Sequence, residues 1–120
     1  NITDACDVIL ANCYPFWEGC AAEYSLLYMK DMYNEAIKAS NGKKVIITET
    51  GWPSKGRDLW GAHPSYTNYL KYFINAQLWS KDQGIDMFYF SSFDESWKVE
   101  VEGDVGAYWG LWDKDEVIKF

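Results

Sequence analysis

Two kinds of spacing alternate along this chain: short apolar runs with strand periodicity and longer stretches with helical periodicity. Residues 7–14, DVILANCY, read as a first strand ended by Pro15. Val8, Leu10, Asn12 and Tyr14 are expected on one face, with Ile9, Ala11 and Cys13 on the other. Over residues 21–39, Ala22, Leu26, Met29, Tyr33, Ala36 and Ile37 recur at helical spacing, and Asn41-Gly42 closes the helix. Lys44–Thr50 is the second strand, and its β-branched run Val45-Ile46-Ile47 is of the type buried on both faces. A loop over 51–63 follows, longer than most strand-to-helix connections. Pro64 is placed as the first residue of a second helix, whose expected buried face is Leu70, Phe73, Ile74, Gln77 and Leu78, with Gly84 ending it. Tyr66, Tyr69, Phe73 and Trp79 are expected in the core. Residues 87–93, MFYFSSF, form the third strand, and the tail from 103 to 120 is rich in turns.

The order β-α-β-α-β with apolar strands is best satisfied by right-handed crossovers on a parallel sheet. In such sheets and barrels, ligands and catalytic groups gather at the carboxyl ends of the strands. Glu49 lies there, just before Gly51 and Pro53 break the strand. Strict alternation puts it on the same face as Val45 and Ile47, pointed toward the barrel axis. Position alone leaves room for a structural Glu that caps a loop or pairs with a lysine.

Composition narrows the classes. Hydrophobic residues make up 48% and aromatic ones 18%, far from a disordered chain. The net charge of −7 and the lack of a basic patch argue against nucleic acid and anionic membrane surfaces. No stretch approaches the roughly 18 apolar residues of a membrane span. Cys6, Cys13 and Cys20 include no CxxC pair and there is a single histidine, His63, so a metal site is not expected. The cysteines are read as all free, with Cys6 and Cys20 bridged, or with one paired to a segment outside these residues; Asn1-Ile2-Thr3 is a formal glycosylation sequon. His63 is assigned a structural role beside the second helix.

Three strings, YPFW at 14–17, TETGWPS at 48–54 and FDESWK at 93–98, resemble glycoside hydrolase family 17. That family acts on β-1,3-glucans. The resemblance implies a (β/α)8 barrel, of which residues 1–120 would be the carboxyl-terminal portion, about strands 6–8 with two intervening helices. A complete barrel needs about 200 residues at minimum. In the family the acid/base Glu follows an Asn at the end of the fourth strand, and no such pair ends a strand here; Asn34-Glu35 falls inside a helical stretch. The implied partner is an amino-terminal half of the barrel or a second copy, to cover an apolar face and an unpaired edge.

The resemblance further implies that Glu49 is the nucleophile of a retaining reaction, with no cofactor and no metal. Glu95 and Lys98 match accessory residues of the family. Glu95 is the only carboxyl of this chain weighed as the acid itself, and the accessory role is preferred; Asp94, Glu100 and Glu102 are read as solvated loop charge. Pyranose rings stack on aromatic faces. Tyr14, Phe16, Trp17, Trp52, Trp60, Trp97 and Tyr108 cluster at strand ends and loops, and Tyr14, Phe16, Trp52 and Trp97 are the named substrate-binding candidates. One departure is a Gly at 106, where many fungal members carry a Glu. The expected function is a β-1,3-glucan hydrolase or glucanosyltransferase acting outside the cell, at the wall, on laminari-oligosaccharides or longer glucan. The competing reading is a non-catalytic half-barrel that binds glucan or only assembles.

Overall fold

A computed structural model describes all 120 residues. Three strands, β1 (Val8–Asn12), β2 (Lys44–Thr50) and β3 (Met87–Tyr89), form one parallel sheet in the order β1-β2-β3. Helix α1 (Ser25–Ala39) joins the first pair and α2 (Tyr66–Gln83) the second. Both pack on the same face of the sheet, since Met29 of α1, Tyr69, Tyr72 and Ala76 of α2, and Ile47 of β2 belong to one buried cluster. Two helical crossovers covering one face of a sequentially ordered parallel sheet match the local geometry of a (β/α) barrel. The other face carries Val8, Leu10 and Phe88, which are exposed. No helix is long and apolar enough to cross a membrane.

β2 has the predicted bounds; the other elements depart in instructive ways. The first strand is shorter than 7–14, because the chain turns at Cys13 toward Pro15. Residues Ala22–Tyr24 form a 3-10 turn ahead of α1, and Ile37 of the expected stripe is exposed. Helix α2 begins at Tyr66 rather than Pro64: the Ser65 hydroxyl accepts from the Asn68 N–H at 3.0 Å and caps it. Its buried face is Tyr69, Tyr72, Ala76 and Ser80, whereas Ile74 and Leu78 are exposed. Tyr72 decides that rotation. Its hydroxyl meets Thr50 Oγ1 at 2.5 Å under the sheet, and small Ala76 and Ser80 let the helix approach. Tyr66 is exposed as well, contrary to its expected core place.

The third strand ends at Tyr89 instead of Phe93. The Phe90–Ser91 peptide bond is cis. Beyond it, residues 91–94 pair with the carboxyl-terminal segment: the Ser91 N–H donates to the Trp109 carbonyl, and the Asp94 N–H to that of Trp112. Gly51 permits this convergence, since a Cβ there would meet the Phe90 carbonyl oxygen at 2.1 Å. A short helix, α3 (Val99–Glu102), lies between these two segments.

Aromatic rings fill the upper core. Phe16, Trp52 and Trp109 are 2% exposed or less. Phe16 meets both indoles edge-on, at centroid distances of 5.3 and 5.5 Å. The Trp52 indole N–H donates to the His63 carbonyl at 3.1 Å, which fastens the loop after β2. Trp52→Ala is therefore expected to destabilise the fold by about 3–5 kcal/mol, read from the denaturant midpoint. A midpoint unchanged by this substitution would contradict the core placement.

Candidate active site

The pairing of β1 with β2 slips by one residue at the carboxyl end. Ala11 pairs with Ile47, yet Asn12 pairs with Glu49, so Thr48 and Glu49 both stand opposite Asn12. The same extra residue appears against β3, where Ile47 pairs with Met87 and Thr50 with Tyr89. Such a bulge re-aims a side chain. Val45 and Ile47 are buried beneath the helices, and so is Thr50. Glu49 instead joins Asn12 and Thr48, whose hydroxyl donates to Asn12 Oδ1 at 2.8 Å, on the helix-free face. The expectation that Glu49 shares a face with Val45 and Ile47 is corrected: those residues point to the helices, and the bulge turns Glu49 away from them.

Glu49 is held there by Tyr14, whose hydroxyl donates to Glu49 Oε2 at 2.7 Å. The phenol is oriented by edge contacts with Trp109 and Phe90, at 5.6 and 6.3 Å. Burial pushes the Tyr14 phenol well above its ordinary pKa, and its hydrogen bond to the Glu49 carboxylate raises it further. The phenol therefore keeps its proton and donates it in the hydrogen bond to Glu49.

The two side chains open on a cavity of about 200 Å³ walled by Trp17, Phe90, Lys98, Glu102 and Trp109. Lys98, on the 3-10 turn Ser96–Lys98, pairs with Glu95 at 2.9 Å and lies 4.1 Å from the centre of the Phe90 ring. A cation over an aromatic face, its side chain 14% exposed, is fixed in position. Burial raises the Glu102 carboxyl; Lys98 opposes this, while Glu95 and Glu49 add to it. Glu49 and Glu102 thus share the cavity with one ammonium, which is itself paired with Glu95.

Of the residues singled out in the sequence, Tyr14, Glu49 and Lys98 meet at this cavity, and Glu95 joins through Lys98. Phe16 and Trp52 do not reach it as sugar platforms. Both are fully buried, because the turn after β1 and the loop after β2 fold their rings into the core beneath Trp109. Trp97 is 66% exposed beside Lys98 and outside the cavity wall. Asp94 is not solvated: its side chain is 8% exposed, accepts from Lys119 at 2.6 Å and takes the Gly110 N–H at 2.9 Å. His63 sits at the surface with Nδ1 2.9 Å from Asp58. The three cysteines are free. Glu102, Phe90 and Trp109 were missed. Glu102 has a legible signal, four residues beyond Lys98 on a helical turn, which places the two on neighbouring turns.

A larger cavity, about 550 Å³, lies between Ser54, Tyr108 and the tail at Lys119. Its buried polar groups already satisfy one another, with Lys119 donating to Asp94 and Ser54. The Glu49 cavity differs in having a carboxylate aligned by a donor and facing open space.

A parallel α/β sheet with aligned carboxyls above its strand ends is the architecture of many glycosidases. The chain belongs to the BtgE/BtgC glycoside hydrolase domain family, whose model matches residues 1–110. It is 27% identical to a glucan 1,3-beta-glucosidase of Saccharomyces cerevisiae over 99% of this chain and 41% of that protein. Among solved structures it resembles the glycoside hydrolase family 17 beta-1,3-glucanosyltransferase from Rhizomucor miehei, with a TM-score of 0.93 and 33% identity, covering 98% of this chain and 43% of that one. An active-site mutant of that enzyme in complex with laminaritriose matches with a TM-score of 0.92 at 32% identity, over 98% and 43% of the two chains. The chain thus spans about two-fifths of the length of the relatives it matches.

The enclosed phenols give a prediction. Tyr69 is pushed up to about 12 by burial and the nearby Asp94 charge, and burial raises Tyr14, Tyr72 and Tyr89 as well. Unfolded tyrosines lose their protons near pH 10, whereas these keep theirs in the fold. The stability that these four phenols contribute is therefore fully present below about pH 10 and is lost as pH rises toward their folded-state values. Ultraviolet titration of the native protein should leave at least these four of the nine tyrosines protonated at about pH 10.5. Nine phenols ionising together would contradict the site's packing.

Proposed function

We propose that this chain is the nucleophile-bearing part of a retaining glycoside hydrolase or glucanosyltransferase acting on β-1,3-glucan, with Glu49 the attacking carboxylate. The observation that carries this is the Tyr14–Glu49 hydrogen bond at the mouth of an aromatic-walled cavity above the strand ends. Support also comes from the names of the three relatives described above, which are directed at β-1,3-linked glucan or its oligosaccharide, and from the laminaritriose held by one of them.

In this reading Glu49 attacks the anomeric carbon, the glycosidic bond breaks, and a second carboxyl group about 5–5.5 Å away protonates the departing oxygen. Water, or the hydroxyl of a second glucan, then displaces the glucosyl ester. Tyr14 keeps the Glu49 oxygen in line and screens its charge. Lys98, tied to Glu95 and seated on Phe90, is the one cation fixed at the cavity. The surplus of carboxyl groups disfavours anionic sugars and suits a neutral glucan. Trp17 and the Trp109 edge offer apolar wall for a pyranose face; Trp97, exposed at the rim, is placed to meet a sugar further along the chain.

The architecture completing this site is a (β/α)8 barrel in which residues 1–120 supply about strands 6–8. The remaining strands, with the acid/base carboxyl, come from a segment that covers the helix-free face of the sheet. The setting is extracellular, at wall glucan. The reaction draws on carboxyl groups alone, without metal or organic cofactor.

In the intact protein, Glu49→Gln is expected to cut turnover of laminarin by roughly 10³-fold or more, with laminari-oligosaccharide binding retained. Tyr14→Phe is expected to lose about 10- to 100-fold in kcat, the worth of a hydrogen bond to a charged group. Activity undiminished in Glu49→Gln would overturn the assignment. Binding without turnover in the unsubstituted protein would favour a glucan-binding module.

A further inference from the structure

The geometry points to Glu102 as a substrate-positioning and specificity-determining residue of the Glu49 cavity, one that hydrogen-bonds a hydroxyl group of a neutral glucan. This inference rests on the glucan reading of the site. Three observations carry it.

The first is place. Glu102 ends α3 and lines the same cavity as Glu49, Tyr14 and Lys98. The second is the state of its carboxyl group, which is partly buried yet engages in no hydrogen bond; only burial and the charges of Lys98, Glu95 and Glu49 act on it. A partly buried carboxyl with a structural role finds donors, as Asp94 does with Lys119 and the Gly110 N–H. Lys98, the cation of this cavity, is paired with Glu95.

The third observation is how tightly Glu102 is positioned from behind. A Cβ at Gly106 would lie 2.9 Å from the Glu102 Cβ and 2.8 Å from the Lys98 carbonyl oxygen. The absence of a side chain at 106 therefore lets the turn carrying Lys98 and Glu102 close down on the tail. A larger residue at 106 would displace both groups. An acceptor without a partner on the wall of an open cavity matches a ligand hydroxyl group, and a neutral sugar carries several. Uronic sugars do not fit, because the carboxyl groups of Glu49, Glu95 and Glu102 face only one ammonium.

The test measures laminaritriose affinity by calorimetry, and KM and kcat on laminarin, for the intact protein carrying Glu102→Ala, Glu102→Gln or neither. Glu102→Ala should weaken affinity and raise KM about 5- to 20-fold, with kcat changed less and the melting temperature held. Glu102→Gln keeps an acceptor of the same shape and should stay within about threefold of the parent. Glu102→Ala equal to the parent in affinity and KM would overturn this proposal alone. So would equal losses in both variants, because an amide would then fail where hydrogen bonding was said to suffice. If the parent binds no laminaritriose, the glucan reading falls and this inference with it. Should Glu102→Ala melt early, Glu102→Gln and a Gly106→Ala variant decide. The latter shifts the turn and should also weaken laminaritriose binding, and unchanged affinity in it would count against the proposal.

Discussion

An extended strand alternates its side chains, so a carboxylate two residues beyond a core isoleucine belongs in the core. Left in register, Glu49 would enter the layer of Ile47, Met29 and Tyr72, where an unpaired charge costs several kcal/mol. The extra residue at Thr48 removes that conflict. It keeps Ile47 and Thr50 both under the helices, where Thr50 bonds Tyr72, and turns Glu49 to the helix-free face. The rest of the site follows from this slip. Tyr14 can reach Glu49 only on that face, and the turn carrying Lys98 and Glu102 closes over it.

The site and the core are joined by the same rings. Tyr14 packs edge-on to Trp109, Trp109 packs on Phe16, and Phe16 on Trp52. Two of the aromatics in the sequence motifs thus act beneath the cavity, as its foundation. This gives the cavity a tightly packed floor, the support that the proposed carboxyl chemistry would need. It also separates two kinds of aromatic that composition alone treats alike. Buried rings stabilise, whereas Trp17 and Trp97 retain surface for a ligand.

Much of this was legible in the sequence. The bounds of β2, the parallel βαβαβ order and Glu49 at a strand end follow from β-branched runs, helical spacing and turn residues. The slip at Thr48 was not legible, since it exists only in the pairing of β2 with its neighbours. Aliphatic spacing in α2 points to the wrong face, because the tyrosine that reaches Thr50 and the small residues beside it set the rotation. The third strand looked longer because MFYFSSF is apolar throughout, yet residues 91–94 take their partners from the tail, far away in sequence. Asp94 and Glu102 read as loop charge for the same reason: Lys119 and the Lys98 turn become their neighbours only in the fold.

The central claim is that the bulge delivers Glu49, and no other carboxyl group, to the reacting carbon. Trapping the intact protein with a 2-deoxy-2-fluoro laminari-oligosaccharide that bears a good leaving group, then mapping the labelled peptide by mass spectrometry, tests it directly. The predicted result is a single glucosyl ester on Glu49, within the peptide that carries TETGWPS. A label on Glu95, Glu102 or any other residue would contradict the account.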